Sequence, residues 1–286
     1  AGTRLELLLF RLDGPQLYGI NVFKVQEVVP YRQLTQVPGS HPLVNGIATL
    51  RGKTMTVIDL ARAIGRTPLP DPRLAHIIIT EYNRSTHGFL VGSVERIVYT
   101  QWENVRPRPH GIGRESFMTA VTRIDDQLIE ILDVEKVLDQ VVHASTDVSA
   151  EFARPAAGPP RRVLVADDSR VARTQIQRAL EQIGVECTLC NDGKEAFALL
   201  QDLRAQGTDI AEHFLMLISD IEMPEMDGYM LTTAVRHELN LADFYILLHS
   251  SISGVFNKDM VARTGANRFI QKYSADDLAQ AVLELL

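Results

Sequence analysis

Residues Leu215 to Gly228 read LMLISDIEMPEMDG, and this stretch decides the second half of the fold. Four apolar residues, Leu215 to Ile218, run into Ser219 and a single carboxylate, Asp220. Pro224 and the pair Asp227-Gly228 then mark a turn. A short apolar run bounded by turn residues has the pattern of a buried parallel strand. An acid at the C-terminal end of such a strand lies where open α/β sheets bind ligands.

The flanking sequence repeats the pattern. Val163–Ala166 is a second apolar run and ends in Asp167-Asp168-Ser169. Ser169 suits the N-cap of a helix over 170–183, which Gly184 stops. A strand over 185–190 and a helix over 194–204 follow, then the opening strand and a helix over 229–239. The strand 245–248 ends at His249-Ser250-Ser251; a helix over 255–264, a strand over 268–271 and an amphipathic helix over 275–286 complete the set. Five alternations of strand and helix predict a doubly wound parallel α/β domain.

In that fold Asp167, Asp168, Asp220, Ser250 and Lys272 all fall at strand ends on one edge. Clustered carboxylates repel one another unless a cation neutralises them, and a hard divalent ion with oxygen ligands, most simply Mg²⁺, does so. Phosphoryl transfer to Asp220 then makes chemical sense. The ion offsets developing charge, Lys272 supplies a point charge, and the Ser250 hydroxyl is placed to donate to a phosphoryl oxygen.

The first half reads differently. Short apolar runs at 5–12, 17–20, 22–29, 43–50, 54–60, 75–82, 88–99 and 127–132 alternate with turns such as Asp13-Gly14-Pro15 and Arg51-Gly52-Lys53. Many strands with little helix between them predict barrels or a sandwich. One helical turn is expected at 61–64, and a clearer helix over 133–143 with Asp133 as N-cap. This half carries no nucleophile–base constellation and no phosphate loop, so a binding module is expected. Trp102, the single tryptophan, either packs under a loop or anchors a partner. Residues 144–160, ASTDVSAEFARPAAGPP, have linker composition and separate a domain at 1–143 from one at 161–286.

Composition narrows the function classes. The net charge of −7 gives no electrostatic reason to expect nucleic acid. No apolar run has the length of a membrane span, no signal peptide opens the sequence, and Ala-Gly-Thr suggests a trimmed start. Cys187 and Cys190 are spaced C-x-x-C without a second pair. On a strand they would point to opposite faces, so two reduced core thiols are expected.

Two resemblances follow from these residues. YGINVFKVQE (18–27), NGIATLRG (45–52), VIDL (57–60), GFLVGSV (88–94) and IEILD (129–133) resemble the CheW family of chemotaxis coupling proteins. That resemblance implies two five-stranded SH3-like barrels and a scaffold bridging chemoreceptors and the histidine kinase CheA. It also places Val25, Glu27 and Arg51 on the receptor-facing surface; alternatively Arg51 holds its turn and Val25 is core. Glu27 and Arg51 are suited to a charge-assisted pair.

Residues 161–286 resemble a response-regulator receiver, a flavodoxin-like domain of five parallel strands. The resemblance implies Mg²⁺ on Asp167, Asp168, Asp220 and the backbone carbonyl of Glu222. It makes Asp220 the phosphoacceptor, with Ser250 and Lys272 contacting the phosphoryl group and Phe269 as the switch aromatic. Some residues depart from the family pattern. Tyr273 replaces the usual proline after the lysine, Ser251 a common alanine, and Glu222 adds a carboxylate; the segment 201–213 is long.

The two-domain order resembles the CheV type of coupling protein. It implies a multidomain, cytoplasmic scaffold recruited to receptor arrays, a phosphoacceptor rather than an enzyme, tuned through Asp220. The alternatives are a phosphate sink draining CheA and a conventional regulator of another output.

Overall fold

The computed structural model describes residues 4–82, 85–107, 109, 116–142, 147–152, 161–250, 263–271 and 274–286. The chain divides into two units, Ala1–His143 and Ala144–Leu286.

The first unit is built from short strands in two sheets. Strands β1 (Arg4–Arg11) and β2 (Leu17–Asn21) form a hairpin, and a 3₁₀ turn capped by Asn21 leads to β3 (Val25–Pro30). Then come β4 (Val44–Leu50), β5 (Lys53–Asp59), helix α1 (Leu60–Ala63), β6 (His76–Tyr82) and β7 (Ser85–Val91). The long β8 (Ser93–Gln101), the two-residue β9 (Arg106–Pro107), β10 (Met118–Ile124), β11 (Gln127–Leu132) and α2 (Val134–Val141) complete the unit.

The sheet orders are β8-β1-β2-β11-β10-β9 and β3-β6-β7-β5-β4. The chain therefore starts in one sheet, builds the second entirely, and returns to finish the first. One five-stranded sheet is as expected; the other has six strands because β9 is added. Alternation along the strands fills each core: Leu5, Leu7 and Leu9 of β1 pack with Ile129 and Ile131, and Ile77 and Ile79 of β6 pack with Val57 and Leu90. Gly92 joins β7 to β8 where a Cβ would stand 2.4 Å from the carbonyl oxygen of Leu12. Only glycine lets the backbones approach that closely. Asp133 caps α2, its carboxylate accepting the Lys136 N–H. Trp102 is partly buried and packs against the β1 core.

The second unit is an α/β layer structure. Strands β12 (Arg161–Ala166), β13 (Val185–Cys190), β14 (Met216–Asp220), β15 (Ile246–Ser250) and β16 (Arg268–Gln271) pair in the order β13-β12-β14-β15-β16, all parallel. This is the flavodoxin-like order, with its switch point between β12 and β14. The helices are α3 (Arg170–Glu181), α4 (Gly193–Ala205), α5 (Ile210–His213), α6 (Gly228–His237) and α7 (Ala275–Leu283). Val163, Val165, Met216 and Ile218 face α3 and α7, whereas Leu164, Leu217, Ile246 and Leu248 face α4 and α6. Both sheet faces are thus covered, which is why these strands read as continuous apolar runs. The extra length at 201–213 folds into the short α5, capped by Asp209. The helix expected over 255–264 falls mostly outside the described residues.

The two cysteines separate as expected: Cys190 lies in one core cluster and Cys187 packs against the other. Burial pushes both thiols up to about 12, so both are protonated at neutral pH.

Residues 147–152, within the stretch that reads as linker, pack on the second unit. Val148 is buried in the α3/α7 cluster and Phe152 packs against it. The Val148 N–H donates to Gln182 Oε1 at 2.9 Å. The N–H and hydroxyl of Ser149 both donate to the Asp276 carboxylate, at 2.7 and 2.6 Å, which lowers that group's pKa. Val148→Ala removes two buried methyl equivalents and lowers the unfolding free energy of this unit by about 1.5 kcal/mol. Glu151→Ala, at an exposed neighbour, leaves it unchanged; urea unfolding followed by circular dichroism distinguishes the two.

Candidate functional site

The C-terminal ends of β12, β14 and β15 lie side by side, and most of the second unit's buried polar residues lie there. Asp220 closes β14 and is 3% exposed. Its Oδ1 accepts the Ile221 N–H at 3.0 Å, which fixes the carboxylate relative to the strand. Asp167, just past β12, is fully buried, and its Oδ1 accepts the Ser169 N–H at 2.8 Å. Ser169 in turn caps α3, its hydroxyl accepting the Ala172 N–H. The run Asp167-Asp168-Ser169 therefore turns strand into helix and aims one acid inward. Asp168 is exposed.

Two elements after Asp220 hold the loop against it. Asp227 caps α6 by accepting the Met230 N–H at 2.7 Å. Gly228 sits where a Cβ would stand 2.3 Å from the carbonyl oxygen of Asp220, and its own N–H donates to the Ile221 carbonyl. The Asp-Gly pair thus has two separate tasks, capping and close approach.

Ser250 ends β15 and is wholly buried; its hydroxyl donates to Glu222 Oε1 at 2.5 Å. Glu222 is two residues beyond Asp220, so its carboxylate reaches the hydroxyl across the loop. Phe269, on β16 beside Leu248, is partly buried and packs on the α4/α6 core. Lys272 and Tyr273 lie outside the described residues, as does Ser251.

One residue of the pocket was not singled out by the sequence pattern. His249, next to Ser250, is fully buried. Its Nε2 stands 3.4 Å from Asp167 Oδ2 and its Nδ1 3.8 Å from Asp220 Oδ1. The ring bridges the ends of the two neighbouring strands. The only available signal was a histidine inside an otherwise apolar strand ending, ILLHS.

Asp167, Asp220 and His249 each offer a ligand atom, all within 4.8 Å of one another. Among the described residues no other such group of acidic, histidine and cysteine side chains occurs. Two wholly or nearly buried carboxylates on adjoining strands suit a divalent cation, because burying such charges without compensation is costly.

In the first unit, Arg51 donates to Glu27 Oε1 at 2.8 Å. Glu27 is on β3 and Arg51 follows β4, the two edge strands of the five-stranded sheet. The pair therefore joins opposite edges of a sheet that curls back on itself. Arg51 has φ +51° and Gly52 φ +78°, the pattern of a tight hairpin turn. Val25 is half-buried on β3. The arginine side chain is mostly exposed, so the ion pair adds no more than about 1 kcal/mol to stability. The resemblance-based receptor surface and the turn-holding alternative thus share one geometry.

Both halves of the chain match known protein families. Residues 6–142 match the CheW-like domain family and residues 163–283 the response regulator receiver domain family. Chemotaxis protein CheV3 of Helicobacter pylori is 32% identical over 298 aligned positions, covering 99% of this chain and 95% of that protein. Chemotaxis protein CheW of Klebsiella aerogenes is 26% identical and covers 50% of this chain and 86% of its own length. A crystal structure of the chemotaxis response regulator CheY4 of Vibrio cholerae is 27% identical with a TM-score of 0.39, covering 45% of this chain and all of that one. The protein combines a CheW-like coupling domain with a receiver domain. It belongs to the CheV family of chemotaxis proteins, and its broad role is chemotaxis signal transduction.

Gly228→Ala forces a methyl group against the Asp220 carbonyl. It destabilises the second unit by about 2 to 3 kcal/mol, read by chemical denaturation, while Gly207→Ala, whose Cβ meets open space, costs less.

Proposed function

We propose that this protein is a scaffold coupling chemoreceptors to the histidine kinase CheA, and that phosphorylation of Asp220 tunes the coupling. The observation that carries the proposal is the buried, oriented Asp220 carboxylate at the switch point of a receiver, on the same chain as a CheW-like unit. In this reading the protein is a phosphoacceptor rather than an enzyme, works in the cytoplasm, and is recruited to membrane-associated receptor arrays. No helix among the described residues is long and apolar enough to cross a membrane.

Mechanistically, Asp167, Asp168, Asp220 and the backbone carbonyl of Glu222 would hold Mg²⁺. The bound ion supplies neutralisation of the carboxylates and of the charge that develops on the transferred phosphoryl oxygens. The Ile221 N–H keeps the Asp220 carboxylate oriented for in-line attack on the phosphoryl group of the kinase. In the unphosphorylated state the Ser250 hydroxyl is engaged by Glu222. A phosphoryl group on Asp220 competes for that hydroxyl and repels the Glu222 carboxylate, so the two residues part. Lys272 supplies a positive partner for the phosphoryl oxygens, and movement of Ser250 gives the Phe269 ring on the neighbouring strand a new position. The domain boundaries follow the same reading: coupling in 1–143, a connection in 144–160, and the receiver in 161–286. Val25, Glu27 and Arg51 form the receptor-facing patch, with Arg51 as its charged rim.

The test is reconstitution of the full-length protein with CheA and receptor-containing membranes, comparing wild type with Asp220→Ala. The variant takes no phosphoryl label, and the coupled kinase no longer responds to the phosphorylation state of the protein. If the variant regulates the kinase as wild type does while only the drain of phosphoryl groups from CheA is lost, the tuning proposal fails and a phosphate sink replaces it. Arg51→Ala, with unfolding free energy changed by under about 1 kcal/mol, weakens co-sedimentation with receptor membranes by roughly tenfold. Unchanged co-sedimentation assigns Arg51 to holding the sheet edges together.

A further inference from the structure

The proposed receptor-facing patch begins where the chain enters β3. The 3₁₀ turn Val22–Lys24 comes immediately before Val25, and none of its three residues is buried. No fully enclosed apolar side chain therefore anchors the turn. The ladder between β3 and β6 is broken just past it: Val25 pairs with Thr80 and Glu27 with Ile79, so Gln26 is an extra residue. Such a bulge interrupts pairing and bends its strand. The direction in which Val25 points thus depends on what holds the turn.

A side-chain contact at each end of the turn holds it. At its start Asn21 Oδ1 accepts the Phe23 N–H at 3.0 Å. At its end Lys24 Nζ stands 3.4 Å from Glu135 Oε1, and the two side chains are only 19% and 6% exposed. An ion pair so enclosed is weakly screened and keeps its geometry better than an exposed one such as Arg51–Glu27. Glu135 lies in the first turn of α2, where the partial positive charge of a helix end favours a carboxylate. The helix is itself fixed, with Val134, Val137 and Leu138 buried beneath it and Asp133 as its cap. The carboxylate is therefore a fixed point of the unit, and Lys24 reaches it from the turn.

We propose that Lys24 and Glu135 are positioning residues for receptor binding, their ion pair locking the turn to α2 and so setting the direction in which β3 presents Val25. The inference rests on the reading that Val25, Glu27 and Arg51 face the receptor. Neither residue of the pair touches the receptor in this mechanism. Because α2 is the last element of the first unit, the same pair joins the start of the receptor-facing strand to the end of the coupling domain.

The experiment is co-sedimentation of the full-length protein with receptor-containing membranes, for wild type, Lys24→Met, Glu135→Gln and the double variant. Each folded single variant binds roughly fivefold more weakly, and the double variant no more weakly than the weaker single, because the pair acts as a unit. The amide resonances of Val25 and Gln26 in a ¹H–¹⁵N correlation spectrum move in Glu135→Gln, although that substitution is on another element. The double variant leaves neither charge of the pair in the enclosed site, so its affinity decides the matter even where a single variant does not fold. A folded double variant that binds as wild type does overturns the inference, as do losses that multiply from the singles to the double. If Arg51→Ala weakens binding in the same assay while the double variant does not, the positioning role falls and the receptor-facing patch stands. If neither weakens binding, the reading of the patch falls with the inference.

Discussion

Two carboxylates out of water, Asp167 and Asp220, set the terms for the second unit. Each is almost wholly enclosed, and an enclosed carboxylate is costly unless something opposes its charge. The surrounding structure is arranged to limit that cost. Backbone N–H groups of Ser169 and Ile221 each donate to one oxygen, and Ser169 and Asp227 cap the two helices whose N-terminal ends open beside the pocket. A helix N-terminus carries partial positive charge, which further favours the acids. These local devices fix where the carboxylates point but do not neutralise them. Under the proposed function a divalent cation would offset their charge and prepare Asp220 for a phosphoryl group.

Much of this was legible in the sequence because the α/β fold writes its active edge in strand endings. An apolar run that stops at an acid is visible at Ala166-Asp167 and at Ser219-Asp220, and the caps Ser169 and Asp133 announced their helices within a residue. Where sequence reading was incomplete, the reasons are physical. Helix boundaries moved by one to three residues because capping geometry, not composition, sets them; Gly193 and Gly228 begin helices that seemed to start one residue later. The short α5 was hidden because four residues have no periodicity to show. His249 was passed over because a polar residue in a buried strand is understood only through its neighbours, and those neighbours come from two other strands.

The first unit shows a complementary limit. Individual strands were readable from alternation, but the path of the chain between sheets was not. The return of β8 to pair with β1 depends on contacts across some ninety residues, such as Leu7 with Val98. Its sheet edges are also joined by an interaction that sequence alone leaves ambiguous. Glu27 and Arg51 pair across opposite edges, so the residues that close the sheet are also those proposed to face a partner. A weak surface ion pair suits such a double use, since exchanging it for contacts with another protein costs little stability.

The stretch that composition marks as a linker also acquires a physical role. Val148 and Phe152 lie against the helices α3 and α7, and Ser149 holds Asp276 in the first turn of α7. That turn begins three residues after the position of Lys272. The last helix, the connection that precedes the receiver, and the strand that leads to the lysine therefore share one small region of packing. Hydrogen bonds to a carboxylate in a helix's first turn are sensitive to the position of that turn, because two donors from one residue must meet two oxygens at once. A displacement of the α7 N-terminus by even a fraction of an ångström strains both bonds together. The same contact thus holds residues 147–152, in the stretch that reads as linker, against the last helix of the second unit.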